Sequence, residues 1–327
     1  MVNVVVTGIT GFIGSHLAKR LIEKGYSVYG IERPVASRML LPIKEIANDI
    51  VLLSADITDH MSILHALRTA DPDYICHLAA LSPVRLSFER PFEYEKVNYL
   101  GTMNVAHALT DLPDYKKRKM IAASTAEVYG IHTHGRPLKE EDQLNPSSPY
   151  SVSKAAADMY LRMAARAYEL NAVILRPVNT FGRKFETNFM VEYLITTMLK
   201  KERVYIGAPD SIREYIYVDD HTGGYLAAME KGVQGEVYNI STGEGMKNRE
   251  ITERIAKMVG YDGSKIVLGA YPPGYPVRPA ISDQPYIILD PNKARNELGW
   301  RQKTSLDEGL KKTISYWRSF MEARPTT

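Results

Sequence analysis

Short apolar runs rich in β-branched residues alternate along this chain with longer amphipathic stretches, and the alternation holds from the N-terminus to Pro177. Residues 2–7 predict a strand, and a glycine-rich turn then leads into an amphipathic helix over 12–24 that Gly25 ends. Residues 26–31 predict the second strand. The rhythm repeats as strand 50–53 and a helix after Thr58, strand 74–77 and a helix over 98–109, strand 119–123 and a helix over 149–169, then strand 172–175. Such alternation calls for a parallel sheet with helices on both faces, and right-handed crossovers make it doubly wound. After Pro177 the pattern loosens. Helical stretches are expected at 189–200, 247–259 and 291–322, with a turn-rich loop over 270–276 that cannot continue a helix. The fold class is therefore α/β, with a smaller α/β C-terminal lobe over the carboxyl edge of the sheet, where ligands of such sheets bind.

Composition narrows the function classes. The 327 residues are 45% hydrophobic and 24% charged, an ordinary globular balance with a sizeable core. A net charge of +3, with Lys116-Lys117-Arg118-Lys119 as the one basic run, argues against nucleic acid. That run is expected to decorate a loop entering a strand. The single Cys76 excludes an internal disulfide and a cysteine metal cluster, fits a reducing compartment, and reads as core filler. His60, His65, His132 and His134 show no metal-ligand spacing with acidic partners. No apolar run reaches transmembrane length and no signal-peptide pattern opens the chain, so a cytoplasmic protein off the membrane is expected.

Candidate chemistry begins at Thr7-Gly8-Ile9-Thr10-Gly11-Phe12-Ile13-Gly14. Gly8, Gly11 and Gly14 let the backbone approach a pyrophosphate, and the helix N-terminus opening at Phe12 and Ile13 offers free N–H groups and a positive dipole end. Glu32, eighteen residues past Gly14, stands where a carboxylate accepts hydrogen bonds from the adenosine ribose and repels a 2′-phosphate, which favours NAD. The adjacent Arg33 can bind that phosphate and leaves NADP open. Asp56 and Ile57 stand near the adenine position, or cap the next helix. Farther on, Thr125, Glu127, Tyr150 and Lys154 supply a hydroxyl, a carboxylate, a phenol and an ammonium. Tyr150 and Lys154 are four residues apart, on one helix face. A phenol titrating near pH 10 is too weakly acidic for neutral pH, and a neighbouring ammonium is expected to lower it into use as an acid/base.

With His77-Leu78-Ala79-Ala80, Asn98, Ser124-Thr125, Arg176-Pro177, Asn179-Thr180-Phe181-Gly182 and Leu298-Gly299-Trp300, these motifs resemble the extended short-chain dehydrogenase/reductase family, whose members modify sugar nucleotides, over nearly the whole chain. Residues 212–221, Tyr238-Asn239-Ile240 and Lys247-Asn248 are similar to nucleotide-sugar 4,6-dehydratases of the dTDP-glucose kind. The resemblance implies a Rossmann-like NAD-binding domain over 1–178 with 212–240, and a nucleotide-sugar lobe over 179–211 with 241–327. It places Leu78 and Ala79 on the cofactor. It makes Tyr150 the base for the sugar's C4 hydroxyl, Lys154 the residue that tunes Tyr150 and binds the nicotinamide ribose, and Thr125 a hydrogen-bonding partner of the same hydroxyl. Glu127 becomes the base at C5, made acidic once C4 is a ketone. Arg213 and Arg278 then bind the substrate diphosphate with Asn179, while Asn188 and Asn239 line the nucleotide pocket, or each asparagine forms a turn or a cap. A homodimer through paired helices, including the one carrying Tyr150, is also implied.

One position departs from that pattern. Where the dTDP-glucose enzymes carry an aspartate as general acid, and GDP-mannose dehydratases and the sugar-nucleotide decarboxylases a serine, this chain has Ala126, which donates nothing. Losing a general acid lowers a rate by about 10²–10⁴. The reading that results is a 4,6-dehydratase acting on a nucleotide-diphosphate sugar, with a 4-epimerase of the UDP-glucose kind as its rival and a decarboxylase of a uronic acid third. A cofactor-binding regulatory protein is the alternative from another class, and the intact Thr125, Tyr150 and Lys154 speak against it.

Overall fold

The computed structural model describes residues 2–33, 37–132, 135–272, 274–275, 279 and 282–323. Among them, β1 (Asn3–Thr7), α1 (Phe12–Glu23), β2 (Ser27–Glu32), β3 (Ile50–Ser54), α2 (His60–Ala70) and β4 (Tyr74–His77) follow the expected alternation. Next come α3 (Val84–Glu89), α4 (Pro91–Tyr94) and α5 (Gly101–Thr110), then β5 (Lys119–Ala123), α6 (Pro149–Ala167) and β6 (Ala172–Pro177). The helix expected over 98–109 begins earlier, because a π-helical stretch, Glu95–Leu100, joins α4 to α5.

The remaining elements are β7 (Asn179–Phe181), α7 (Met190–Leu199), β8 (Val204–Ile206), β9 (Ile212–Arg213), β10 (Tyr215–Tyr217), α8 (Val218–Lys231), β11 (Val237–Ile240), β12 (Met246–Lys247), α9 (Asn248–Val259), β13 (Ile266–Leu268), β14 (Tyr286–Ile287) and α10 (Leu306–Glu322).

Seven strands form one parallel sheet in the order β11-β6-β5-β4-β1-β2-β3. Its two faces are both apolar, as a parallel sheet under helices requires. In β1, Val4 and Val6 enter the core shared with α1 and α8, while Val5 enters the opposite core with α2, α5 and α6. Cys76 is fully buried in the first of these, the core-filling place expected of it. The basic run lies at the entry to β5: Lys116 pairs with Glu169, Lys117 with Asp114 and Arg118 with Asp71, while Lys119 donates to the carbonyls of Met229 and Gly232. Because β1 has β2 on one side and β4 on the other, the chain's direction of travel across the sheet reverses there, opening the crevice in which such sheets bind ligands.

A third core, built from Phe181, α7, β8, Tyr215, α9 and α10, supports the smaller lobe. Residues 212–217 pair outside the seven-stranded sheet: β9 with β12 and β14, and β10 with β7. The helix expected over 291–322 is also two pieces. Gly299, at φ +67°, ends a short π-helical turn over Ala294–Leu298. A new helix then starts under a capping box in which Ser305 and Glu308 satisfy each other's backbone N–H groups.

Candidate active site

The glycine turn is built for close approach. Gly8 has φ +69°, and a Cβ there would lie 2.9 Å from the backbone of Ala79. A Cβ on Gly14 would lie 2.2 Å from the Gly8 carbonyl oxygen, so the turn and the first coil of α1 pack closer than any side chain permits. The N-cap of α1 is Gly11, with no side-chain cap and no acidic residue in the first turn. Its positive end therefore faces the crevice uncompensated by protein groups, which fits a diphosphate. Leu78 and Ala79 are held against the turn by Thr7, whose hydroxyl accepts from both of their N–H groups at 3.1 Å.

That hydroxyl also contacts His77 Nδ1 at 2.8 Å, and His77 Nε2 reaches Thr102 Oγ1 at 3.0 Å. Thr102 donates its own proton to the Asn98 carbonyl at 2.6 Å, so Nε2 must be the His77 donor and Nδ1 the acceptor. Burial pushes the His77 pKa down to about 3 and keeps the ring neutral. Asn98 bonds both backbone groups of Leu81 and the Ser153 hydroxyl on α6. Both motif residues thus build the wall of the crevice.

At the end of β2, Thr10 of the glycine turn donates a hydrogen bond to Glu32 Oε2, which ties the ribose-position carboxylate to the diphosphate cradle. Arg33 is exposed beside it. The Asp56 carboxylate accepts from Thr58 N at 2.8 Å, and the Ile57 side chain is buried over Gly101. Asp59, not Asp56, caps α2.

The four candidate side chains Thr125, Glu127, Tyr150 and Lys154 come from the chain after β5 and the first turns of α6. Ser148 caps α6 through a capping box with Ser151, which fixes the first turn bearing Tyr150. Lys154 follows one turn later, and burial pushes its pKa down to about 8 against an upward pull from Asp158. Thr125 caps the turn Ala126–Val128, its hydroxyl accepting from Glu127 N at 3.2 Å. The Ser124 hydroxyl beside it is buried without a hydrogen-bond partner, an orphan that fits a polar ligand.

The Tyr150 phenol is raised where the neighbouring ammonium suggested lowering. Burial pushes it up to about 12, opposed by the Thr125 hydroxyl and the Arg183 guanidinium and reinforced by Glu127 and Tyr94. Desolvation outweighs the nearby cations, because a phenolate loses its hydration in the crevice.

Two residues absent from the sequence reading stand in this site. Arg183 follows Gly182 directly, and its guanidinium lies 4.5 Å over the ring of Phe12 and 3.3 Å over Phe189. It donates to Thr180 O at 2.7 Å and lies 3.8 Å from Glu192, and its charge reaches Tyr150. The arginine next to the Asn179–Gly182 motif was the available signal. Gln284 donates to Glu127 Oε2 at 3.1 Å, and nothing local in its own segment marked it.

The expected substrate residues scatter more. Asn179 is exposed at the start of β7 and donates to Glu214 O at 3.2 Å; Arg213 is half-buried and bonds Ile212 O; Asn188 is exposed just before α7. Asn239 is fully buried, and its amide accepts from Tyr129 Oη at 2.7 Å while donating to the carbonyls of Leu138 and Asp290. These bonds use both of its donor hydrogens and one of the two acceptor sites on its oxygen, and hold it in a buried network. Arg278 and His134 lie outside the described residues. His132 bonds the Tyr129 carbonyl at 2.8 Å. Among the described residues no group of His, Cys, Asp and Glu is placed to hold a metal, and no helix is long and apolar enough to cross a membrane.

Comparison with known proteins bears on this geometry. The family model described as GDP-mannose 4,6 dehydratase matches residues 5–313. A probable dTDP-glucose 4,6-dehydratase of Sinorhizobium fredii is 30% identical, with 96% of this chain and 92% of that protein covered. Among solved structures, a UDP-glucose 4-epimerase of Thermotoga maritima with UDP-glucose superposes with a TM-score of 0.87 at 32% identity, covering 98% of this chain and 99% of that one. A dTDP-glucose 4,6-dehydratase of Streptomyces venezuelae with NAD bound gives 0.86 at 28% identity, covering 98% of each chain.

Proposed function

This chain belongs to the GDP-mannose 4,6 dehydratase family of nucleotide-sugar dehydratases and epimerases, and on that premise we propose that it is an NAD-dependent nucleotide-sugar 4,6-dehydratase. The observation that carries the reading is Glu127, a half-buried carboxylate two residues past Thr125 and near enough for its charge to raise the Tyr150 phenol. Bound NAD supplies a hydride acceptor at C4 and a hydride donor at C6. Tyr150 takes the proton of the C4 hydroxyl, and Thr125 holds that oxygen as it becomes a ketone. Lys154 orients the cofactor ribose and adds positive charge beside the phenol. The ketone makes the C5 proton acidic, and Glu127 removes it. The C6 hydroxyl leaves as water, taking its proton from Glu127 or solvent because Ala126 has none to give, and a 4-keto-5,6-ene remains; hydride return to C6 and a solvent-derived proton at C5 then give the 4-keto-6-deoxy sugar. Thr10 pinning Glu32 supports NAD over NADP.

A 4-epimerase is the second reading, favoured by Ala126, whose buried methyl donates nothing where elimination calls for an acid. Incubation in D₂O with a panel of sugar nucleotides separates the two. A dehydratase gives a keto sugar that absorbs in alkali and carries deuterium at C5, whereas a C4 epimer without deuterium overturns the dehydratase reading. Releasing and assaying the bound cofactor tests NAD against NADP. The proposed assembly is a cytoplasmic homodimer through α6 and the helix before it, supported by the exposed Val152 and Met159 on one face of α6 and the exposed Leu100. Sedimentation at monomeric mass would refute that assembly.

A further inference from the structure

We infer that Gln284 is a positioning residue for the C5 base, holding the Glu127 carboxylate against the helix that carries Tyr150; the inference rests on the reading of Glu127 as that base. Gln284 comes from the smaller lobe, just before β14, and is fully buried. Its amide nitrogen donates to Glu127 Oε2 at 3.1 Å and to Ser147 Oγ at 2.9 Å. A carboxylate only accepts, so the NH₂ end must face Glu127. Ser147 is bonded through its own N–H to Ser151 Oγ in the capping box of α6. One amide therefore ties together the turn bearing Glu127 and the helix start bearing Tyr150.

The other end of the same side chain points to function over packing. Gln284 Oε1 is buried and has no hydrogen-bond partner. An unpaired buried carbonyl is unfavourable, and an apolar side chain of the same shape would suit a purely structural position better. A glutamine persists there because its donor end is needed. It keeps one Glu127 oxygen engaged as a carboxylate and leaves the carboxylate aimed for proton transfer from C5.

The test uses the full NAD-loaded chain, the substitutions Gln284→Met and Gln284→Glu, and dTDP-glucose, UDP-glucose and GDP-mannose as separate probes in D₂O. Oxidation at C4 is read from the absorbance of reduced cofactor and needs Tyr150; deuterium uptake at C5 needs Glu127. With methionine, oxidation should stay within about twofold of the parent while C5 uptake falls about tenfold or more, the range expected for losing a hydrogen bond to a charged group. A purely structural role would instead lower both steps together, in proportion to the unfolded fraction. Glutamate, which at this distance shares a proton with Glu127, should lower uptake at least as far by neutralising the base. A substrate-free readout is the ¹³C carboxyl resonance of Glu127, identified by its loss in Glu127→Gln, which should move in Gln284→Met. Unchanged C5 uptake, an equal fall in both steps, or an unmoved resonance overturns the inference. A parent enzyme that makes the C4 epimer without C5 deuterium refutes the base reading itself, and the carboxyl resonance still reports separately whether Gln284 holds Glu127.

Discussion

Lys154 lies in α6 and is 3% exposed, and its pKa falls from 10.5 to about 8 because burial strips hydration from the ammonium. The folded protein therefore binds this proton more weakly than the unfolded chain does. Below about pH 8 both states carry the charge, and folding bears the full desolvation penalty. Between about 8 and 10.5 the folded state loses its proton first, the unfolded chain holds more protons, and stability rises with pH. Above that window the penalty is gone. At 1.36 kcal/mol per pKa unit, the gap amounts to about 3 kcal/mol at pH 7.

Lys154→Met keeps the aliphatic length and removes the charge. Asp158 is not orphaned by the change, since Arg176 binds it through two nitrogens at 2.9 and 3.0 Å and Arg162 lies 3.1 Å away. The cofactor-free variant should thus be more stable than the parent by about 3 kcal/mol at pH 7, or roughly 4 °C in melting temperature for a chain of this size. The difference should shrink steadily as pH approaches 10.5, and the same variant should lose most of its oxidation of C4. Urea denaturation of both cofactor-free proteins across that pH range measures it. A parent as stable as the variant at pH 7, or a difference that does not change with pH, would refute the burial argument.

Four further outcomes follow from the same geometry. Tyr150→Phe should lower all turnover by about 10²–10⁴, while Glu127→Gln should lower C5 deuterium uptake by a similar factor and spare C4 oxidation; stopped-flow absorbance and NMR of the product separate them. Gly14→Ala should abolish or severely weaken dinucleotide binding, because the new Cβ would lie 2.2 Å from the Gly8 carbonyl oxygen, and calorimetric titration with NAD checks this. Arg176→Met should destabilise the fold by about 3 kcal/mol or more in urea denaturation, since it strips the main partner from a carboxylate buried at 1% exposure.

Much of the architecture was legible in the residue pattern. The strand and helix periods, the glycine turn, Glu32 at the end of β2 and the four-residue step from Tyr150 to Lys154 are all local, so short-range spacing carries them. The split of the last helix was legible too, in Gly299 and the Ser305–Glu308 capping box, but it was lost inside a longer helical stretch.

What the sequence determined by itself was therefore the sheet, the tight glycine turn and the set of candidate reactive side chains, because each depends on neighbours within one element. Tertiary structure decided the rest. It turned the Tyr150 phenol upward where a nearby lysine suggested downward, because desolvation depends on everything packed around the crevice. It engaged Asn239 in a buried network and paired residues 212–217 outside the seven-stranded sheet. It also brought Arg183 over Phe12, and Gln284 to Glu127 across 157 positions of chain. Contacts of that range leave no periodic trace, since they are set by where two separately folded elements meet.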